Sequence, residues 1–255
     1  MLNIRNNPKL KNMTFMKSWK QIVFFAVGLF GLTALQIAAQ YVMAFAAGGV
    51  YGFDTIDYRT FLDSATATMI INGVAYVGVL TAFVILSIGD LQEIFKSFHG
   101  WKPFVAGLIG FASIIGFNIV YSTILTTTGI VSSTNANEQT VQSIVIAFPL
   151  ASLLIIGAIG PICEELTYRV GLFSFFRRIN VILAYFVTMV VFAFIHFQFS
   201  SSDIVNELLN LPYYAFAAFV FCFLYEQYGF ASSLTAHIVN NTYSVLSILV
   251  TYLFK

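Results

Sequence analysis

The sequence predicts an all-α fold, a polytopic transmembrane bundle of seven to eight helices. Only 9% of the 255 residues are Asp, Glu, Lys or Arg, against roughly 25% in a soluble domain. The mean hydropathy is +0.86, and the apolar runs are long and continuous rather than alternating, which argues against a transmembrane β-barrel. No linker rich in Pro, Ser or Gly divides the chain, so we expect one compact helical unit.

The apolar runs predict the helices in chain order. They span residues 21–47, 66–88, 104–128, 142–160, 161–178, 181–199, 208–225 and 230–253. Pro161 stands between the fourth and the fifth run, and a proline removes a backbone donor and usually kinks a helix. The stretch 142–178 is therefore predicted to be either one bent helix or a spanning helix followed by a shorter one.

The basic residues indicate an orientation. Nine of the twelve Lys and Arg residues fall on one side if the spans alternate, namely Arg5, Lys9, Lys11, Lys17, Lys20, Lys96, Lys102, Arg177 and Arg178. The positive-inside rule places that side in the cytoplasm and Lys255 on the opposite side. The formal net charge of +1 implies no nucleic-acid partner.

Two connecting segments differ in composition from the apolar runs. Residues 89–104 mix charges with large apolar side chains and are predicted to be either an interfacial helix, with Trp101 at the headgroup level, or a plain connection. Residues 132–140 are predicted to be a polar outer loop, and they contain no motif that indicates a chemical function. The two cysteines, Cys163 and Cys222, lie in apolar segments and suggest neither a disulfide scaffold nor a metal finger.

Five ionisable residues lie inside the apolar runs, and such residues suggest a functional site because their desolvation must be offset. They are Glu164, Glu165, Arg169, His196 and His237. Glu165 and Arg169 are four residues apart and share a helix face, so they are expected to pair. Glu164 is rotated by about 100° from Glu165 and has no cation on its own helix. A buried ion pair that merely staples helices would need one carboxylate, so the second one favours a functional site.

Counting along the helices brings a second element into the site. Glu164 lies about 21 Å along its helix from Arg178, and His196 lies about 22 Å along the next helix from Val181. An antiparallel hairpin would therefore bring Glu164 and His196 to one level. His237 shares a face with Asn241, and this pair is predicted either to join that site or to form a polar clamp between helices.

Three motifs in this order resemble the CPBP family of intramembrane endopeptidases, which includes type II CAAX prenyl endopeptidases and the bacteriocin-related Abi proteins. They are EExxxR (Glu164, Glu165, Arg169), FxxxH (Phe192, His196) and HxxxN (His237, Asn241). The resemblance covers roughly residues 140–250. It divides the chain into a basic N-terminus (1–20), N-terminal transmembrane helices (21–139) and a CPBP-like catalytic core (140–255).

The resemblance implies roles for these residues. Glu164 and His196 would hold and activate a water molecule, His237 and Asn241 would donate hydrogen bonds to the developing oxyanion, and Glu165 would pair with Arg169 or assist at the water. Glu164, His196 and His237 would be the ligands if zinc were bound. No HExxH spacing is present, and we favour a mechanism without a metal or other cofactor.

The implied substrate is a peptide or small protein at the membrane, and we expect a multi-pass protein of a bacterial cell membrane with its N-terminus in the cytoplasm. Two other functions stay open at this point. The same fold without catalysis would serve as a bacteriocin-immunity or regulatory scaffold. A transporter is less favoured, because the buried charges cluster at one level instead of lining a path.

Overall fold

The computed structural model describes residues 16–130 and 133–254. Every regular element within these ranges is a helix, which confirms the all-α prediction. Arg5, Lys9 and Lys11 of the predicted basic N-terminus lie outside the described residues, as do Ser132 of the polar loop and Lys255.

Ten helices follow one another in the described ranges. They are α1 (Ser18–Tyr51), α2 (Ile56–Leu62), α3 (Ala65–Ser87), α4 (Leu91–Lys96), α5 (Lys102–Thr127), α6 (Ala136–Ala147), α7 (Pro149–Arg177), α8 (Val181–Phe194), α9 (Ile204–Tyr228) and α10 (Phe230–Leu253). Helices α1, α3, α5, α7 and α9 are long and apolar enough to cross a membrane, and α8 is a shorter apolar helix. The protein is therefore an integral membrane protein with several spans.

Helix α7 is continuous across Gly160-Pro161, where either a bend in one helix or a boundary between two helices was predicted. The chain bends instead at Phe148, immediately before Pro149, where ψ is 65°. Pro161 lies in the first turn of the α-helical stretch Gly160–Glu164, directly after the π-helical turn Ile155–Ile159. A proline inside a helix removes one backbone hydrogen bond, and Pro161 follows a π-helical turn, which already interrupts the regular i→i−4 pattern. Of the two predicted alternatives, the boundary between two helices at Gly160-Pro161 is wrong, and the boundary lies at Phe148 instead.

The second half of α7 is wound as a π-helix over Glu165–Phe173, and all nine residues of this stretch are buried. Helix α1 packs against it closely. A Cβ atom at Gly171 would stand 2.7 Å from the backbone nitrogen of Phe25, so only glycine permits this approach. On the other side of the bundle α10 packs against α5 and α9, and α8 packs against α9.

Apart from Arg59 on α2 and the buried Arg169, the described Lys and Arg residues gather at one end of the bundle. Lys20 lies 2.5 Å from Asp90, and Nε of Arg178 donates to Oε1 of Gln21 at 2.8 Å. Arg177 on α7 pairs with Glu226 on α9 at 2.7 Å. This grouping agrees with the alternation of spans that the basic residues predict.

Residues 89–104, for which both a helix and a plain connection were predicted, contain the six-residue helix α4 at the same end. Trp101 follows it with 68% of its surface exposed. At the junction of α9 and α10, Gly229 adopts φ = 91°, a conformation that favours glycine.

Candidate active site

Glu165 and Arg169 form the pair that the EExxxR spacing predicts. Both side chains are fully buried, and Nε of Arg169 donates to Oε2 of Glu165 at 2.9 Å. Nη2 of the same guanidinium lies 2.5 Å from Oε1. This second contact is ionic and lacks the alignment of a hydrogen bond. A charge inside a bilayer requires such a partner, and here the partner lies on the same helix.

Aromatic rings cover the rest of the guanidinium. Its central carbon lies 4.8 Å from the ring centre of Phe192 on α8 and 5.0 Å from that of Phe221 on α9. Two ring faces attract the cation and keep water away from it. Arg169 is thereby held by three helices, and the Glu165 carboxylate that it binds is fixed in place.

Helix α10 supplies two further donors to Glu165. Nδ1 of His237 lies 2.8 Å from Oε1, and the hydroxyl of Ser233 donates to Oε2. A carboxylate can only accept, so the proton of this contact sits on Nδ1 of His237. Arg169, Ser233 and His237 all donate to the carboxylate of Glu165, so its charge is compensated inside the bundle.

The imidazole of His237 is fixed in orientation by these contacts and by stacking. Its ring lies 4.4 Å from that of Phe221 at an interplanar angle of 19° and meets Phe192 edge-on at 6.0 Å. Because Nδ1 is engaged with Glu165, only Nε2 is available to another group. That nitrogen faces Glu164, whose Oε2 lies 3.6 Å away.

Glu164 has an environment different from that of its neighbour. Its side chain keeps 16% exposure, while that of Glu165 has none. Tyr76 on α3 makes a side-chain hydrogen bond to it. Among the described residues no Lys or Arg forms a salt bridge with Glu164, so it is the carboxylate with free acceptor capacity, as the sequence predicted.

His196 lies beyond its helix rather than on it. Helix α8 ends at Phe194, and His196 follows in a turn, where Nδ1 contacts the carbonyl of Phe192 at 2.8 Å. The ring stacks on Tyr214 of α9 at 4.3 Å and 14°. The prediction of a helix reaching 199 is wrong, since the chain turns to meet the start of α9. His196 is nevertheless near enough for the charge of Glu164 to act on it.

Asn241 forms the clamp between helices that the sequence left open. Its Nδ2 donates to the carbonyl of Ile156 in the π-helical turn of α7 at 3.2 Å. A primary amide has two hydrogens, so one remains free. Asn241 also borders a cavity of about 1010 Å³, together with Asn240 and His196. The structure therefore places Glu164, Glu165, Arg169 and His237 in one polar cluster, with His196 and Asn241 on the cavity beside it.

The proposed zinc ligands do not converge. Within residues 16–130 and 133–254, no three His, Cys, Asp or Glu side chains are arranged to hold a metal ion. His196 stacks on Tyr214 while His237 stacks on Phe221, so the two imidazoles are held by different aromatic partners. The residues present do not fit a zinc site in this geometry, and the zinc alternative stays a prediction.

Residues 146–243 match the family model described as type II CAAX prenyl endopeptidase Rce1-like. The matched segment, which is less than half of the chain, is similar to the Rce1-like CAAX endopeptidases. The recognition based on the three motifs is thereby confirmed, and the matched range contains every residue of the cluster described above. No curated protein and no solved structure matched the chain.

The family indicates a membrane-embedded protease that acts on a membrane-associated peptide or protein. The Rce1-like segment begins near the start of α7 and ends within α10, so helices α1 to α5 lie outside it. These outer helices still take part in the site, because α3 supplies Tyr76 to Glu164.

The motifs do not include several residues of the Rce1-like site. Ser233 shares a face with His237 and Asn241 at a spacing of four, a signal that would have identified it. Phe221, Tyr76 and Tyr214 reach the site only through helix packing. No local pattern marks them.

Proposed function

We propose that the chain is an intramembrane endopeptidase that hydrolyses a peptide bond of a membrane-associated substrate with a water molecule activated by Glu164 and His196. The unequal pairing of the two adjacent glutamates carries this proposal. Glu165 accepts from Arg169, Ser233 and His237 and is fully buried, so a reacting water does not reach it. Glu164 keeps both free acceptor capacity and exposure, as a general base requires.

The reaction is a hydrolysis in two proton transfers. Glu164 accepts a proton from the water while the water oxygen bonds to the scissile carbonyl carbon, with His196 holding the water from the cavity side. The C–N bond then breaks as the proton passes to the leaving nitrogen. The products are a carboxylic acid and an amine, and no cofactor takes part.

His237 and Asn241 are the proposed donors to the oxyanion. Glu165 accepts from Nδ1–H of His237, so Nε2 is directed toward the space beside Glu164. Donation from Nε2 to the oxyanion uses the imidazolium form of His237, which carries a proton on both ring nitrogens. Asn241, which keeps one amide hydrogen free, borders the cavity that reaches His196. Donors fixed before the reaction stabilise charge without reorganising, and removal of one such donor typically lowers kcat by roughly 10²–10³-fold.

The test compares membranes that contain the wild-type chain with membranes that contain Glu164→Ala, by quantitative proteomics of new peptide termini. We expect termini that disappear in Glu164→Ala and also in His196→Ala. Glu93→Ala, an exposed carboxylate on α4, serves as the matched control and should keep them. Identical termini in the wild type and in Glu164→Ala would refute the proposal and favour the non-catalytic scaffold.

The proposal includes a location. Since the basic residues gather at one end of the bundle, the positive-inside rule places that end in the cytoplasm of a bacterial cell. The cavity that reaches His196 then opens at the opposite face. A cysteine label at residue 101 and one at residue 133, each probed with a membrane-impermeant reagent in intact cells, would show which end is external.

A further inference from the structure

The cavity beside His196 has a mixed lining, in which many amide side chains stand among apolar ones. It has a volume of about 1010 Å³ and lies among α5, α6, α9 and α10, at the end opposite the basic residues. Six carboxamide side chains border it, those of Asn118, Asn137, Gln142, Asn210, Asn240 and Asn241. Amides both donate and accept, so this lining offers partners to the backbone of an extended peptide.

One carboxylate stands in this lining without a partner. No Lys or Arg is present among the described residues that border the cavity, and Glu138 and His196 are its ionisable residues apart from tyrosines. Within the described part of the chain the carboxylate of Glu138 makes no hydrogen bond or salt bridge, although the backbone N–H of this residue donates to Oδ1 of Asn135. Burial without a cation raises the pKa of Glu138.

Glu138 is only one side chain away from the proposed water site. Its charge acts on Tyr214, and the ring of Tyr214 stacks on His196 at 4.3 Å. A residue bound at Glu138 would therefore lie next to the residue whose carbonyl reaches His196. Glu138 lies in the first turn of α6, where the helix dipole favours a carboxylate. The dipole does not require the side chain to border the cavity.

We propose that Glu138 is a specificity-determining residue that binds a lysine or arginine side chain of the substrate close to the scissile bond. The substrate class is then a polar peptide segment with a basic residue, which enters extended from the face opposite the basic end. This inference rests on the proposed function and adds the chemistry of the substrate to it. A terminal carboxylate is a poor fit, because the described lining offers no cation to receive it.

A binding experiment tests the inference independently of catalysis. The full chain with Glu164→Ala, in lipid nanodiscs, is titrated with an eight-residue Gly/Ser peptide that carries one central lysine, and with the same peptide carrying glutamine. We expect the lysine peptide to bind about tenfold more tightly, and we expect this preference to vanish in the additional variant Glu138→Gln. Glu138→Lys should reverse the preference toward a peptide with a central aspartate.

A cleavage experiment then separates the two proposals. The catalytically intact chain is incubated with a peptide library, and cleavage sites that depend on Glu164 are compared between wild type and Glu138→Gln. We expect Lys and Arg to be enriched near the wild-type sites, and this enrichment to be lost in Glu138→Gln while neutral peptides are still cut. Equal binding of the lysine and glutamine peptides to the Glu164→Ala chain would overturn the inference. Absence of cleavage that depends on Glu164 would overturn the proposed function instead.

Discussion

Removal of the buried cation should destabilise the protein far more than removal of an exposed one. In Arg169→Met, Glu165 keeps only Ser233 and His237 as donors and remains fully buried. Breaking a buried pair on one side costs about 3–5 kcal/mol, because it leaves an uncompensated charge. With roughly 2–4 °C per kcal/mol for a chain of this size, the Tm should fall by on the order of 10 °C.

The double variant Glu165→Met/Arg169→Met separates stability from catalysis. Replacing both members of a buried pair by apolar side chains of similar volume is often neutral or stabilising. The double variant should therefore unfold at a higher temperature than Arg169→Met. It should stay inactive nonetheless, because Nδ1 of His237 has lost the acceptor that orients the ring.

Both quantities can be measured on the same samples. Thermal unfolding in detergent gives the Tm, and membrane proteomics gives the termini that depend on Glu164. Lys96→Met is the matched control, since Lys96 pairs with Glu93 on the surface and exposed pairs contribute about 0–1 kcal/mol. Equal shifts for Arg169→Met and Lys96→Met would refute the reasoning, and so would full activity in the double variant.

Three further predictions use other features of the structure. Gly171→Ala should lower the free energy of unfolding by about 1–3 kcal/mol, because the new Cβ would overlap the backbone of α1. The control is Gly116→Ala, whose added Cβ would have no neighbouring atom within 4 Å. In thermal unfolding this control should be neutral or stabilise by up to about 1 kcal/mol. Glu207→Ala should reduce kcat at least tenfold, since Glu207 accepts the backbone N–H of Gln198 in the turn that carries His196; an unchanged rate would contradict this. A zinc chelator should leave activity within twofold of the untreated enzyme, and a loss that added Zn²⁺ restores would show metal dependence.

Hydropathy and spacing predicted the helices and the Glu165–Arg169 pair because both are local properties of the chain. Apolar runs fix the spans, and a spacing of four fixes a shared helix face. The depths of Glu164 and His196 were counted along straight α-helices, and the real helices are not straight α-helices throughout. The π-helical stretch Glu165–Phe173 and the end of α8 at Phe194 alter both distances that were counted.

Residues 132–140 show most clearly what the sequence could not reveal. Read alone they form a polar connection, yet the backbone around Ser133 and Ala136 is bound by Asn206 and Glu207 at the start of α9. The same Glu207 binds the turn after α8. Contacts between segments some seventy residues apart have no local signature, so neither the cavity nor the place of Glu138 in it could be predicted.

The different surroundings of the adjacent residues Glu164 and Glu165 follow from helix geometry. Successive residues on a helix point about 90–100° apart, so two neighbouring carboxylates at one depth face different surroundings. Glu165 turns toward Arg169 and α10, where it is fully buried and accepts three hydrogen bonds. Glu164 turns toward Tyr76 and the Nε2 of His237 and keeps its exposure. Since His237 contacts both carboxylates, one through each ring nitrogen, the paired glutamate orients the imidazole that faces the unpaired one, and neither glutamate can perform the other's role.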